Sequence, residues 1–221
     1  AWPAPVVPHD RDLTIMPNPL PERPFRGRYI RVLQPNIGQQ DKWRPGFDDE
    51  AARRLAQLSG APAAEGRLLL WPEAAITDPV EDARTDEHQA LAEFQRTRAT
   101  ALLGPGDVLL TGGIALSARD GVNVDGAANS IYALGQGGRI LGRSDKAHLV
   151  PYGEYLPMRP VLSAIGLSRL APGNVDFTPG PGPRTIDLGE QWGKVGFQLC
   201  YEIIFSGHVV DQRNRPAFIF N

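Results

Sequence analysis

Three polar residues, far apart in the chain, each stand at the end of an apolar stretch. Glu73 closes Leu68-Leu69-Leu70-Trp71-Pro72-Glu73. Lys146 follows Arg139-Ile140-Leu141-Gly142-Arg143-Ser144-Asp145. Cys200, the only cysteine, closes Val195-Gly196-Phe197-Gln198-Leu199-Cys200. In open α/β architectures the residues just past strand C-termini line the functional crevice, so such residues can converge. The chemistry open to them is acyl transfer: a thiol attacks a carbonyl carbon, a carboxylate takes its proton and an ammonium stabilises the oxyanion. Moving a proton from an ordinary thiol to an ordinary carboxylate costs roughly 6 kcal/mol in water. A working site must narrow that gap through burial and neighbouring charge. Each residue also has a plainer reading. A lone cysteine between Leu199 and Tyr201 is commonly a small packing residue. Glu73 can be a helix N-terminal carboxylate or a solvated loop residue, and a lone lysine is usually a surface charge. Spacing alone leaves both readings open.

The elements that must position these residues follow from hydrophobic periodicity. A first strand starts at Tyr29 in YIRVLQPN and is ended by Pro35. Phe47, Ala51, Leu55 and Leu58 recur at helical spacing, with Gly60 as the stop. Residues 68–71 read as a short strand. Residues 86–103 read as a helix with Ala90, Leu91, Phe94 and Leu102 inward. Strands are expected at about 107–116, 129–134 and 139–143, the last two joined as a hairpin by Gly135-Gln136-Gly137-Gly138. Beyond a loop rich in proline and glycine, strands are expected at 184–188 and 193–200 and a helix near 203–213. A last strand opens at Ala217-Phe218-Ile219-Phe220. Strands alternating with helices indicate the α/β class. That last strand has no chain after it, so the sheet it joins is expected to be incomplete.

Composition narrows the function. With 221 residues, 42% of them apolar, the chain can bury a substantial core. A formal charge of -2 gives no electrostatic footprint for nucleic acid. One cysteine excludes a multi-thiolate zinc site, and His9, His88, His148 and His208 have no ligand spacing, so neither metal nor cofactor is expected. No stretch approaches 18 consecutive apolar residues, and residues 1–20 lack the pattern of a signal peptide. Seven of the 21 prolines fall in residues 1–27, which read as an extended linker or arm ahead of one domain at 28–221. No G-x-S-x-G elbow and no P-loop is present.

Five segments go further. LQPNIGQQDKW (33–43), LLLWPEAAIT (68–77), NSIYAL (129–134), DKAHLVPYGEYLP (145–157) and CYEIIF (200–205) together, and in this order, resemble the nitrilase-like (carbon-nitrogen hydrolase) domain of the apolipoprotein N-acyltransferase family. The combination of WPE, K-x-H-L-V-P-Y-G-E and CYE is specific where each alone is weak. The resemblance implies a four-layer αββα sandwich. It also implies that Glu73 is the general base, Lys146 the oxyanion stabiliser and Cys200 the nucleophile, with the backbone N–H of Tyr201 helping to hold the oxyanion. Glu154 matches a second carboxylate that supports the lysine. Glu202 and Trp43 fall on positions that look functionally important in the family, although Glu202 can equally cap a following helix and Trp43 can pack the loop after the first strand.

The family's activity implies an acyl chain moved from a phospholipid to the cysteine, then to the α-amino group of an S-diacylglyceryl-cysteine on a lipoprotein. Taking a sixteen-carbon chain from lipid into water would cost on the order of 12 kcal/mol at about 0.8 per methylene, so the domain is expected at a bilayer surface. The implied location is the periplasmic face of a bacterial inner membrane, with the membrane contacted through helices that this chain lacks. The apolar segment 158–172 is a candidate acyl-facing or membrane-facing flap, or a surface helix packed on the sandwich. Two alternatives stand beside this reading: a soluble amidase of the same superfamily, and a non-catalytic fragment of the acyltransferase.

Overall fold

The computed structural model describes residues 28–37, 46–73, 75–151, 154 and 177–221. The arm at 1–27, Trp43 and the 158–172 segment lie outside the described residues.

Among the described residues nine strands form two sheets: β1 (Tyr29–Val32), β2 (Arg67–Leu70), β3 (Pro79–Asp82), β4 (Val108–Ser117), β5 (Gly126–Leu134), β6 (Ile140–Asp145), β7 (Thr185–Asp187), β8 (Lys194–Phe197) and β9 (Phe218–Phe220). The larger sheet runs β1-β2-β4-β5-β6, with β3 pairing parallel to the far end of β4. The smaller runs β7-β8-β9. β1, β2 and β4 are parallel, whereas β5 and β6 form the expected antiparallel hairpin. Helices α1 (Phe47–Ser59), α2 (Asp86–Thr100) and the short α3 (Gly189–Trp192), with 3₁₀ turns at Gln136–Gly138 and Cys200–Ile204, complete the described elements.

The central strands read as continuous apolar runs because both of their faces are covered. Leu69, Leu109, Tyr132 and Leu134 pack with Leu55 of α1 and Leu103 beyond α2 on the helix side. The alternate residues Leu68, Val108, Leu110, Ile131 and Ala133 pack against Ile186, Trp192, Val195 and Phe197 of the second sheet. Helix, sheet, sheet is three layers of the expected αββα order.

The bounds read for α1 match, with Phe47 and Leu55 buried and Gly60 ending the helix at φ 67°, whereas Leu58 is 41% exposed. The reading of α2 needs correction. Leu91 and Phe94 are 55% and 60% exposed, and Ala92 and Thr100 face inward instead. Arg96 decides the face, because its guanidinium donates to the carbonyls of Val80 (2.6 Å) and Gly138 (3.2 Å), and Thr100 accepts from the Gly138 N–H. The helix expected near 203–213 is absent. A 3₁₀ turn, Cys200–Ile204, is followed by bends, and Gly207 at φ 83° reverses the chain there. β8 ends at Phe197, so Cys200 stands outside the strand that was expected to carry it. β3 was not foreseen, because Pro79-Val80-Glu81-Asp82 has little apolar pattern of its own.

Candidate active site

The site grows from the end of the β5–β6 hairpin. One residue past β6, the Lys146 N–H still donates to the Asn129 carbonyl of β5 (2.8 Å), and the Lys146 carbonyl accepts from the Gly180 N–H (2.8 Å). With its backbone pinned on both sides, Lys146 sends its side chain inward, where it is only 2% exposed. A surface charge is thereby excluded. Its Nζ donates to Glu154 Oε1 at 3.0 Å and lies 5.3 Å from the centroid of the Tyr201 ring. Burying an ammonium this deeply is tolerated only when it is paired, and here a carboxylate and an aromatic face supply the pairing.

Glu154 is itself held. Its Oε2 accepts from the Val150 N–H (2.9 Å), its backbone N–H donates to the Val150 carbonyl (2.8 Å), and its own carbonyl accepts from Phe177 (3.0 Å). Asn129 then extends the cluster: its Nδ2 donates to Glu154 Oε1 and to Glu73 Oε1, at 2.9 Å each. Glu73 lies two residues past the Trp71 N–H, which donates to the Leu110 carbonyl (2.8 Å) and extends the β2–β4 pairing by one residue. The Glu73 backbone lies directly on Gly112 of β4, where a Cβ would overlap the Glu73 carbonyl oxygen. Lys146, Glu154, Asn129 and Glu73 therefore form one hydrogen-bonded run.

Cys200 approaches from the other sheet. It is exposed and adopts φ 55°, in the left-handed region that a residue with a Cβ rarely enters, so the backbone is strained where the thiol is presented. Glu202 holds this turn shut. Its buried carboxylate accepts from the Leu199 N–H (2.9 Å) and, through its other oxygen, from the Ala147 (2.8 Å) and His148 (2.9 Å) N–H groups. Glu202 thus caps the 3₁₀ turn Cys200–Ile204 through the Leu199 N–H, as its capping reading expected, and also clamps that turn to the lysine loop. The Tyr201 hydroxyl adds a second tie by donating to the Leu149 carbonyl (3.0 Å), and Phe205 stacks on His148 at 4.3 Å. With its side-chain nitrogen turned toward the turn, Asn221 donates to the Cys200 carbonyl at 3.0 Å.

Glu73, Lys146, Glu154, Tyr201 and Glu202 are thus joined through hydrogen bonds and ring contacts around the Cys200 turn, while Trp43 lies outside the described residues. Two contributors were not picked out by sequence reasoning. Asn129 stood inside the quoted NSIYAL stretch as the lone amide opening an apolar strand. Gly112 carried no signal beyond a glycine pair in a strand. The arrangement suits nucleophilic acyl chemistry, with an exposed thiol on a turn whose Tyr201 ring lies 5.3 Å from a buried ammonium, and a carboxylate held through an amide.

The chain is also similar to known proteins. Apolipoprotein N-acyltransferases from Agrobacterium fabrum (30% identical over 206 residues), Geobacter metallireducens (32% over 184) and Brucella suis (35% over 190) align with 90%, 82% and 80% of this chain. The alignments cover 37%, 32% and 32% of those proteins, so the chain spans about a third of the length of the curated relatives it matches. Among solved structures, an amidase from Nesterenkonia sp. aligns with 80% of this chain and 54% of its own, at 18% identity and a TM-score of 0.37. The family model described as carbon-nitrogen hydrolase matches residues 30–220. That match runs from β1 to the end of β9 and takes in every residue of the hydrogen-bonded cluster, and the chain belongs to the carbon-nitrogen hydrolase family.

Proposed function

We propose that this chain carries the catalytic domain of an N-acyltransferase that moves a fatty acyl chain from a phospholipid to the α-amino group of a lipoprotein's S-diacylglyceryl-cysteine. The observation that carries this reading is the hydrogen-bonded run from the buried Lys146 through Glu154 and Asn129 to the exposed Glu73, which the Lys146–Tyr201 ring contact ties to the turn of the exposed, strained Cys200. The similarity to apolipoprotein N-acyltransferases supports the substrate class.

Glu73 takes the thiol proton, and the Cys200 sulfur attacks the ester carbonyl carbon. The oxyanion is met by Lys146 Nζ and the Tyr201 backbone N–H. The ester C–O bond breaks, Glu73 returns the proton to the leaving lysophospholipid oxygen, and a thioester remains. The acceptor amine then attacks that carbonyl carbon, gives up a proton to Glu73 and becomes an amide. The sulfur leaves and recovers the proton, which makes the scheme ping-pong. Among the described residues no helix is long and apolar enough to cross a membrane.

The test is incubation of the protein with phospholipid in mixed micelles, followed by intact mass measurement. The expected result is a single acyl adduct that hydroxylamine removes and that Cys200→Ala abolishes. An adduct that survives this substitution sinks the thioester mechanism. Ammonia release from small amides, with no acyl adduct, would assign the site to an amidase instead.

A further inference from the structure

We infer that Asn129 is a positioning residue for acyl transfer, acting as the joint that holds Glu73 in place for Cys200 while keeping Glu154 on Lys146; this rests on the roles given to Glu73 and Cys200 above. One amide nitrogen carries two protons, and Asn129 Nδ2 gives one to Glu73 Oε1 and the other to Glu154 Oε1, at 2.9 Å each. The amide orientation is fixed by chemistry, because its carbonyl oxygen turned toward two carboxylates would face only acceptors.

The same residue holds the third member through its backbone, since its carbonyl accepts from the Lys146 N–H at 2.8 Å. Its own position is set by pairing with Ile114 inside the β4–β5 ladder, a rigid element of the larger sheet. Asn129 thus fixes the backbone of the lysine, one oxygen of its counter-ion and one oxygen of the base. The Glu73 oxygen that Asn129 holds is Oε1, and this reading gives the thiol proton to Oε2.

The residue type follows from the charges. A lysine here would compete with Lys146 for Glu154 and neutralise the base. An aspartate would set a third carboxylate against two others. A serine hydroxyl has one proton and can serve only one carboxylate. A neutral side chain with two donors on one nitrogen meets both carboxylates without drawing Glu154 off the ammonium.

The experiment is a double-mutant cycle on single-turnover acylation of Cys200 by p-nitrophenyl butyrate, read by nitrophenolate release and intact mass, with melting temperature recorded for every variant. In this step the thiol proton passes to Glu73, the S–C bond forms, the ester C–O bond breaks and nitrophenolate leaves. Asn129→Ala is expected to slow acylation by between about ten- and a hundredfold, the worth of a hydrogen bond to a charged group, and Asn129→Asp by more. In a Glu73→Ala background, Asn129→Ala should cost no more than about threefold, because there is no base left to position. The same fold loss in both backgrounds, as a loss of folded protein would give, overturns the proposal, and so does no loss in either. Acylation by the ester but not by phospholipid removes the proposed donor and leaves the role of Asn129 standing. A wild-type protein that neither reagent acylates overturns both.

Discussion

Lys146 is 2% exposed and its ammonium is 3.0 Å from Glu154 Oε1. Taking two charges out of water costs several kcal/mol per ion, and the pair is stable only while both partners are present. Glu154→Ala is therefore expected to destabilise the protein by about 3–5 kcal/mol, because it leaves a buried ammonium without its carboxylate. Adding Lys146→Met should restore much of that stability and none of the acylation. Urea unfolding and the acyl-adduct assay together check this, and a double variant no more stable than Glu154→Ala alone would count against it. The buried Glu202 carboxylate is satisfied differently, by three backbone N–H groups rather than by a strong ion pair.

The elements are held in register by another buried pair, remote from the chemistry. Arg67 opens β2, and its guanidinium meets Asp107, just before β4, at 2.6 Å with both side chains almost fully covered. The same guanidinium donates to the carbonyls of Ser59 (2.8 Å), Gly60 (2.9 Å) and Leu102 (3.0 Å), at or just past the ends of α1 and α2. Asp107 also accepts from the Arg67 (2.6 Å) and Gly104 (2.8 Å) N–H groups. One ion pair thus joins two helix ends to two adjacent parallel strands, the strands whose far ends carry Glu73 and the surface it lies on. Asp107→Ala is expected to cost about 3–5 kcal/mol in chemical denaturation. A loss below about 1 kcal/mol would mean that Arg67 finds water instead.

For the whole molecule, acid stability follows from carboxylates whose proton affinity falls on folding. The side-chain hydrogen bond from Arg84 holds Asp82 below its ordinary value of 3.8. Asp120, in the β4–β5 turn, is lowered to about 2, first by the Asn123 side chain and then by the Asn123 and Val122 N–H groups. A group depressed in the folded state contributes stability that is fully present above its unfolded value and is lost as pH falls through its folded value. The urea midpoint is therefore expected to fall as pH drops below about 4, with the Asp120 contribution still titrating near pH 2. Asp120→Asn should flatten the lowest part of that curve, and an unchanged slope there would show that the turn contributes nothing.

Local pattern in the sequence determined the elements with strong periodicity and the residue types of the proposed chemistry. Leu68–Leu70 and the apolar runs of β4 and β5 are legible because both faces of those strands are covered. Glu73, Lys146 and Cys200 stand out as polar residues ending apolar runs, and Glu154, Tyr201 and Glu202 were reached through their motifs. Tertiary structure decided which face of α2 turns inward, because Arg96 and Thr100 bond to carbonyl and N–H groups of elements distant in the chain. It decided that β3 exists, since that strand is held by β4 rather than by its own pattern. It also decided that Asn129 links two carboxylates lying 56 residues before and 25 after it. The reason is the same in each case: local periodicity reports which residues avoid water, whereas a hydrogen bond between remote segments is fixed only when the strands pair.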